Sequence, residues 1–513
     1  MSSAAANVVP PRSEAIPAYS HAQIKRVVTG IMLCILLAAL DQTVVIPAVP
    51  AMAAELNAFG HLSWIVSAYL VTSTAATPIL AKLSDGWGRR ALLLPSLVLF
   101  MVASALCALC TSLPALIAAR ALQGLGGAGL MSMSQAAVAD VVAPRERGRY
   151  QGYMASMWGI ASIAGPVVGG WMTDHLSWRF VFWINIPVGI AAMLLCDRAL
   201  RLLPVRGGRV RIDVPGALLL VSAISCWLLV LSWGGTEYPW LSSPVVGTAA
   251  AAALLTAALV WQERRAPDPV LPPRLFANGA FARGVMISFC TVGTMLGVTF
   301  LLPLYYQLVR GQAASDSGVL LIPFLLANVF GAFAGGQLAR RLGRTKALIM
   351  NGLTASVVPA AAFVVLPAGV PEVVPLVLSA VLGFGIGITM PTVLMQVQNA
   401  AARPDVGAAT GAMLFIRSMG GALGATLAGS LLTLVFTSGL AGASVAGVDL
   451  GNAREKLEEL AGPVRDTVLG SLSAGFHAAF AACAGLLLVG WLIGAGMKDQ
   501  LLQSGEVPKD IGH

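Results

Sequence analysis

Two charged residues lie deep inside apolar stretches, Asp41 in the first and Arg120 in the fourth. At the helical rise per residue, Asp41 would lie roughly 21 Å from one membrane surface and Arg120 roughly 10 Å from the other. In a hydrocarbon core of about 30 Å, both fall at a similar height, where opposite charges usually pair. A carboxylate can change its charge there, whereas arginine effectively cannot. The spacing predicts a proton-switchable pair; a static ion pair and a substrate contact through Asp41 are the alternatives.

The composition indicates which elements must position this pair. Hydrophobic residues make up 57% of the 513, and charged residues only 11%, against about 25% in soluble domains. The mean hydropathy is +0.81. This balance predicts an all-α polytopic membrane protein. Fourteen runs are long enough to span a bilayer, near residues 27–50, 62–82, 91–111, 113–141, 151–172, 180–198, 214–234, 243–262, 282–306, 317–338, 347–367, 373–395, 408–437 and 474–496.

The basic residues predict the orientation of these spans. An even number of spans puts both termini on one side. With the termini cytoplasmic, cytoplasmic segments carry 25 of the 32 Lys and Arg residues and outer loops carry five. This bias follows the positive-inside rule, so we expect a multi-pass plasma (inner) membrane protein. The net charge of +9 then reflects topology, and we expect no nucleic-acid partner.

Internal similarity divides the chain into two bundles. The fourth and twelfth spans share glycine-rich stretches, 123–131 and 382–390, and the next spans share 165–170 and 420–424. An offset of eight spans predicts two six-helix bundles around a midplane cavity, with two extra central helices between them. The predicted units are a cytoplasmic tail (1–26), an N-terminal bundle (27–200), a linker with spans seven and eight (201–281), a C-terminal bundle (282–496) and a second tail (497–513).

The loop at residues 81–90 is predicted to act as a latch between the bundles. The carboxylate of Asp85 could cap the helix that begins near Gly407, because helix N-termini attract negative charge. Arg89 could pair with Asp140, and we assign Arg90 to the same latch. Anchoring of the loop by its positive charge alone is the alternative.

Further residues are candidates for movement or substrate contact. Gly165, Pro166, Gly169 and Gly170 predict a tightly packed, bendable fifth span. Arg417 could line the cavity, contact an anionic group of the substrate or extend towards the membrane surface. The outer loop at 438–473 holds a short amphipathic stretch, 452–460, which could be a lid or a plain connector. The candidate substrate cavity comprises Gln123, Met131, Met154, Met157, Trp158 and Arg417, although ordinary core or lipid-facing packing is the alternative for the methionines.

Other chemistries lack the residues that they require. The five histidines are scattered, so we expect no metal site and no catalytic cluster. The seven cysteines lie in apolar runs, where buried packing without disulfides is expected. No phosphate-binding G-x-x-x-x-G-K-[ST] stretch occurs, which argues against ATP as the energy source. We therefore predict a transporter without cofactors and not an enzyme.

Taken together, these stretches resemble the fourteen-span drug:proton antiporter family of the major facilitator superfamily. The resemblance covers nearly the whole chain. It rests on residues 40–50, on the loop 81–90 with Ala81 in place of the usual glycine, on Arg120 with Gln123 and Gly124, and on residues 164–170 and 178–189.

The resemblance implies proton-coupled export of varied amphiphiles. It also implies coupling roles for Asp41 and Arg120, a cytoplasmic latch of Asp85, Arg89 and Asp140, and a role in antiport for residues 165–170. Because Asp41 is the one deep carboxylate in the sequence, we expect small lipophilic substrates that are neutral or monocationic. We also expect the protein to act as a monomer. A dedicated exporter of one metabolite, antibiotic or lipid is the alternative, and a non-transporting sensor a remote one.

Overall fold

In a computed structural model, the chain folds into a bundle of long α-helices. The structure describes residues 20–56, 62–142, 146–201, 213–234, 238–367, 369–442 and 462–499, with a few isolated residues between 448 and 457. The helices are α1 (His21–Glu55), α2 (Leu62–Trp87), α3 (Arg89–Leu109), α4 (Leu113–Val141), α5 (Arg147–His175), α6 (Phe180–Trp183), α7 (Asn185–Leu200), α8 (Val214–Trp233), α9 (Ser243–Arg265), α10 (Pro273–Ala277), α11 (Gly279–Leu308), α12 (Ala314–Leu342), α13 (Lys346–Val364), α14 (Val373–Ala400), α15 (Val406–Gly442) and α16 (Pro463–Ala495).

Twelve helical stretches of the described residues are long and apolar enough to cross a membrane. A helix suits that environment because it satisfies its own backbone hydrogen bonds. The helices α4 and α5 are not among the twelve, although each has 29 residues. Their glycines and polar side chains, including Arg120 and Gln151, lower their hydropathy. Apolarity and length alone therefore do not reproduce the predicted count of fourteen.

The sixth predicted span is interrupted. It consists of α6 and α7, which are separated at Ile184. Pro187 explains the interruption, because proline has no backbone N–H to donate to the preceding turn. The interruption places Asn185 at the start of α7, inside the bundle.

The long helices pack as two similar bundles, α1–α7 and α11–α16. In the first bundle, α5 packs on α1 and α4 packs on α2; in the second, α15 packs on α11 and α14 packs on α12. Glycines bring the helices together in both. A Cβ atom at Gly169 would meet the backbone of Val44, and one at Gly424 would meet that of Gly293. The helices α2, α4 and α5 of the first bundle therefore make contacts equivalent to those of α12, α14 and α15 in the second.

Helices α8 and α9 form a hairpin that packs beside both bundles. Leu220, Ile224 and Leu259 of the hairpin form an apolar cluster with Ala75 of α2, and Phe415 and Met419 of α15 pack against that cluster. The hydroxyl of Thr426 on α15 also donates to the carbonyl oxygen of Leu231 at 3.1 Å. The extra pair therefore covers the seam between α2 and α15.

The two bundles meet mainly through α5 with α12 and α2 with α15. At the start of α5, a Cβ atom on Gly148 would collide with the backbone of Gly336. At the start of α15, Gly407 lies against Asp85 at the end of α2. We call this end of the molecule, where α2 ends and α5 and α15 begin, the closed end. Towards the other end, Gly165 and Gly169 of α5 contact α1 of their own bundle instead.

Several predicted segments lie wholly or largely outside the described residues. These are most of the N-terminal tail, most of the C-terminal tail, the linker after α7 and the amphipathic stretch at 452–460.

Candidate functional site

Asp41 lies at the centre of a buried polar network in the first bundle. Its Oδ2 accepts a hydrogen bond from Nη1 of Arg120 at 2.8 Å. Its Oδ1 accepts from Nε2 of Gln123 and from Nδ2 of Asn185, each at 2.8 Å. Asp41, Gln123 and Asn185 are fully buried, and Arg120 is 1% exposed. Three donors and one full opposite charge therefore stabilise an ionised carboxylate at this depth.

Arg120 is held on the other side by backbone and aromatic rings. Its Nε donates to the carbonyl oxygen of Ile65 at 3.2 Å, and its Nη1 also donates to Oε1 of Gln123 at 2.7 Å. The guanidinium lies 4.5 Å from the ring centroid of Tyr69 and 5.7 Å from that of Phe182. Such contacts favour a cation over aromatic faces. The guanidinium is therefore fixed in place while its charge is balanced by one group that can accept a proton.

Asn185 and Ser104 complete the network and were missed by the sequence reasoning. Asn185 Nδ2 donates to Ser104 Oγ at 2.9 Å, and Gln123 Nε2 donates to the same oxygen at 3.2 Å. Ser104 in turn donates to the carbonyl oxygen of Phe182 at 2.9 Å, next to the interruption between α6 and α7. Asn185 could have been found in the sequence from its place near Pro187 in the stretch 178–189, where a helix is expected to be interrupted. No feature of the sequence distinguishes Ser104 from other serines in the spans.

The loop at 81–90 joins the two bundles at the closed end. Asp85 accepts hydrogen bonds from the backbone N–H groups of Gly407 at 3.0 Å and Ala408 at 2.8 Å, the first residues of α15. Arg89 lies between two carboxylates, 2.6 Å from Asp85 and 2.9 Å from Asp140, and also contacts the hydroxyl of Ser84. Asp85 thus caps a helix of the opposite bundle while Arg89 holds it, as the sequence predicted.

Arg90 differs from its predicted place in the latch. Its guanidinium pairs with Asp197 of α7 at 2.5 Å. Both residues belong to the first bundle, so this contact does not cross between the bundles. Arg90 points away from Arg89 because consecutive residues of a helix lie on different faces.

A second contact across the closed end was not predicted. Nε of Arg340, near the end of α12, lies 2.9 Å from Oε1 of Glu146, which precedes α5. Both side chains are more than two-fifths exposed. When the stretch 336–344 is aligned with the loop 81–90, Arg340 takes the position of Asp85. The two bundles therefore use opposite charges at equivalent positions.

The glycines of α5 fall into two classes. Gly165 and Gly169 pack directly on Thr43 and Val44 of α1, and a Cβ atom at either would collide with them. Gly170 has no neighbour within 4 Å of such an atom. Pro166 is exposed, and α5 continues through it without interruption. Two of the four predicted residues thus form the close helix contact, whereas Gly170 does not.

The predicted cavity residues also divide. Gln123 belongs to the buried network of Asp41 and not to a cavity. Met154 is 3% exposed and packs in the core of the first bundle, and Met131, Met157 and Trp158 pack against the same core. Arg417 is partly buried in the first third of α15. Of the three methionines, Met154 therefore lies in the core, whereas Met131 and Met157 pack against it and remain partly exposed.

Potential metal ligands and the cysteines are distributed through the bundle. Across the described residues, no three His, Cys, Asp or Glu side chains come together as metal ligands. All seven cysteines are free thiols. Two of them, Cys34 and Cys196, lie 3.5 Å apart between α1 and α7.

Comparisons with known proteins agree with this fold. The family model of the Major Facilitator Superfamily matches residues 31–425. The multidrug transporter protein MdtP of Bacillus subtilis is 33% identical over 79% of this chain and 74% of its own length. The multidrug resistance protein 3 of the same organism is 32% identical over 82% of both chains. An MFS-type transporter of Mycobacterium tuberculosis is 36% identical over 79% of this chain, which spans only 58% of that relative's length.

Two solved structures share the architecture. The human organic anion transporter MFSD10 superposes with a TM-score of 0.63 at 17% identity, over 92% of this chain and 99% of its own. The proton:xylose symporter XylE gives 0.57 at 15% identity, over 92% and 95%. At these identities the likeness concerns the fold alone. The family match and the two multidrug relatives of Bacillus subtilis establish that this chain belongs to the Major Facilitator Superfamily of membrane transporters, and the all-helical architecture agrees with this.

Proposed function

We propose that this protein is a proton-coupled antiporter that exports lipophilic compounds by alternating access. The observation that carries the proposal is the buried carboxylate of Asp41, balanced by Arg120 and held by two further side-chain donors, Gln123 and Asn185, inside the first bundle. Intramembrane carboxylates of this kind typically mark proton pathways. The relatives named as a multidrug transporter and a multidrug resistance protein support transport of varied drugs.

We further propose that α4 and α5 also cross the membrane, which makes fourteen spans with both termini cytoplasmic. Each has 29 residues, enough to span the hydrocarbon core. Their polar side chains lie mostly inside the bundle, where the membrane does not meet them. With this orientation the closed end is cytoplasmic, and the structure corresponds to an outward-facing state in the plasma membrane.

Proton binding at Asp41 provides the switch in this proposal. While Asp41 is ionised, its charge cancels that of Arg120. Protonation of Asp41 leaves Arg120 with an unbalanced charge in a medium of low dielectric constant, which is unfavourable. The arrangement of α1 against α4 that suits the ionised pair is then no longer preferred. Release of the latch at Asp85 would let the closed end open and expose the cavity to the cytoplasm.

A proton gradient supplies enough energy for this work. One pH unit corresponds to about 1.4 kcal/mol, and a potential of about 100 mV adds roughly 2.3 kcal/mol for each charge moved. One proton per cycle can thus maintain roughly a 10²–10³-fold gradient of a neutral substrate. The balanced pair in the first bundle suits neutral substrates.

The test is transport in proteoliposomes with an imposed pH gradient and a panel of lipophilic dyes and antibiotics. Asp41→Asn should abolish accumulation of substrate against its gradient while leaving the protein folded, because the amide cannot bind the proton. Asp174→Asn is the matched control, since Asp174 is an exposed carboxylate at the end of α5. Continued accumulation by Asp41→Asn under a pH gradient alone would refute the coupling role.

A further inference from the structure

Arg417 is a positive charge in the first third of α15 that has no partner among the residues the structure describes. It lies roughly 16 Å along the helix axis from the first residue of α15. Among the described residues, no carboxylate, hydrogen-bond acceptor or aromatic ring contacts its guanidinium. The deep positive charge of the first bundle, Arg120, is fully paired. Because an isolated charge in a span costs several kcal/mol, such a residue is usually kept for a ligand.

The face of α15 that carries Arg417 points between the bundles. Arg417 follows Thr410 by two helical turns, so the two side chains leave the helix within about 20° of each other. Thr410 Oγ1 accepts a hydrogen bond from Nε2 of Gln398 on α14 at 3.2 Å. The same amide lies 3.4 Å from the carbonyl oxygen of Gln135 on α4. Thr410 therefore faces the junction of the two bundles, and Arg417 faces the same axis about 10 Å farther from the closed end.

The opposite face and one flank of α15 are already occupied. Phe415 and Met419, each about 160° around the helix from Arg417, pack on the cluster formed by α2, α8 and α9. Gly420 lies against the backbone of Phe289 on α11, so close that a Cβ atom would collide with it. These contacts fix the rotation of α15 on two sides. Gly424, two turns after Arg417, also lies against α11, whereas Thr410, two turns before it, contacts α14. The side chain of Arg417 therefore lies between the α11 and α14 contacts of α15, above the layer of Gln135, Gln398 and Thr410.

The charges around this space favour an anion. Asp41 and Arg120 cancel each other and are sealed inside the first bundle. Within the described part of the chain, the deep charge left unbalanced is then the guanidinium of Arg417. We infer that Arg417 binds the anionic headgroup, a carboxylate or phenolate, of a lipophilic substrate. The planar guanidinium can donate two parallel hydrogen bonds to a carboxylate.

This inference rests on the proposed export function and narrows its substrate class. A single positive charge in the cavity repels monocations, so the expected substrates change from neutral or monocationic to neutral or singly anionic. A free amphiphilic acid and an anionic phospholipid share this headgroup chemistry, and we assign the site to the free acid.

Binding can be measured without transport. Full-length protein in phosphatidylcholine nanodiscs is titrated with three pyrene probes that share one alkyl chain and end in a carboxylate, a primary amide or an amine. We expect the carboxylate to bind at least tenfold more tightly than the amide, and the amine more weakly than either. Arg417→Gln should abolish the difference in affinity between the carboxylate and amide probes. Arg417→Lys should retain part of that difference, because the charge remains but the planar guanidinium is lost.

The control is Arg341→Gln, which removes one exposed arginine from the same bundle and should leave all three affinities unchanged. The thermal stability of Arg417→Gln should equal or exceed that of the wild type, because an unpaired charge leaves the membrane interior. A loss of stability together with an unchanged preference for the carboxylate would show that Arg417 is structural and overturn the inference. Equal binding of carboxylate and amide by the wild-type protein would also overturn it.

Two further experiments distinguish a free acid from a lipid headgroup as the bound anion, and the anion site from proton coupling. Nanodiscs that contain phosphatidylglycerol should leave the preference for the carboxylate intact; its loss would assign Arg417 to a lipid headgroup instead of a substrate. Asp41→Asn should retain the preference, because it changes the first bundle only. A preference that depends on Arg417, combined with transport that does not respond to a pH gradient, would refute proton coupling while supporting the anion site.

Discussion

Asn185 donates a hydrogen bond to Asp41 across 2.8 Å, which connects the start of α7 to the middle of α1. The contact depends on the interruption between α6 and α7, since Asn185 is the first residue after it. Its amide also donates to Ser104 on α3. Asn185 is therefore a positioning residue: it holds the carboxylate of Asp41 and links three helices around it.

Asn185→Leu should destabilise the protein by about 1–3 kcal/mol, because a buried carboxylate loses a donor that water cannot replace. Thermal unfolding in detergent would measure the loss, with Asn351→Leu on an exposed part of α13 as the control. The same substitution should be less damaging in an Asp41→Asn background, because a neutral side chain needs fewer donors. Equal destabilisation in both backgrounds would mean that Asn185 acts by packing and not through Asp41.

The sequence could predict the charged part of the site but not its neutral part. The depth of Asp41 and Arg120 along their spans predicted that they would pair, since two buried opposite charges have few other solutions. Depth gives height in the membrane but not the direction of a side chain around its helix. Ser104 is one of many serines in apolar runs, and nothing in the sequence fixed which of them faces Asp41.

The same limit applies to the fold. Hydropathy located the helices, but length and hydropathy alone do not place the glycine-rich helices α4 and α5 among the candidate membrane spans. The glycines at 165, 169 and 170 look alike in the sequence, yet only the first two meet another helix. The contact from Arg340 to Glu146 was missed because it reverses the charges of the more recognisable latch at Asp85.

The two glycines at 169 and 170 provide a matched pair of variants. Gly169→Ala should destabilise the protein by about 1–3 kcal/mol, because the added methyl group collides with the backbone of Val44. Gly170→Ala should be neutral or stabilising by up to about 1 kcal/mol, because alanine favours a helix more than glycine does. Thermal unfolding and transport of both variants would test this. Equal effects on stability would contradict the packing of α1 on α5.

The two contacts at the closed end should differ in strength. Arg340 and Glu146 are largely exposed, so Arg340→Glu should reduce the free energy that favours the closed end by less than about 1 kcal/mol. The double variant with Arg340→Glu and Glu146→Arg should restore it. Asp85→Asn should weaken it by about 1–2 kcal/mol, because a charged cap of α15 is lost. Distances between spin labels at positions 149 and 402 would report the opening. A larger effect from Arg340 than from Asp85 would reverse this ranking.

At the opposite end, Glu55 ties the end of α1 to the turn before α6. Its carboxylate accepts hydrogen bonds from Arg179 and from the indole of Trp178, each at 2.6 Å, and these hold the pKa of Glu55 below its usual value. A lowered pKa stabilises the folded protein at pH values above the ordinary carboxyl range, and the contribution is lost as the pH falls through the lowered value. Thermal unfolding should therefore show a small advantage of wild type over Glu55→Gln at neutral pH that disappears in acid. Because Glu55 is half exposed, added salt should reduce the advantage as well. An advantage that persists unchanged at acid pH would show that shape, and not charge, holds this contact.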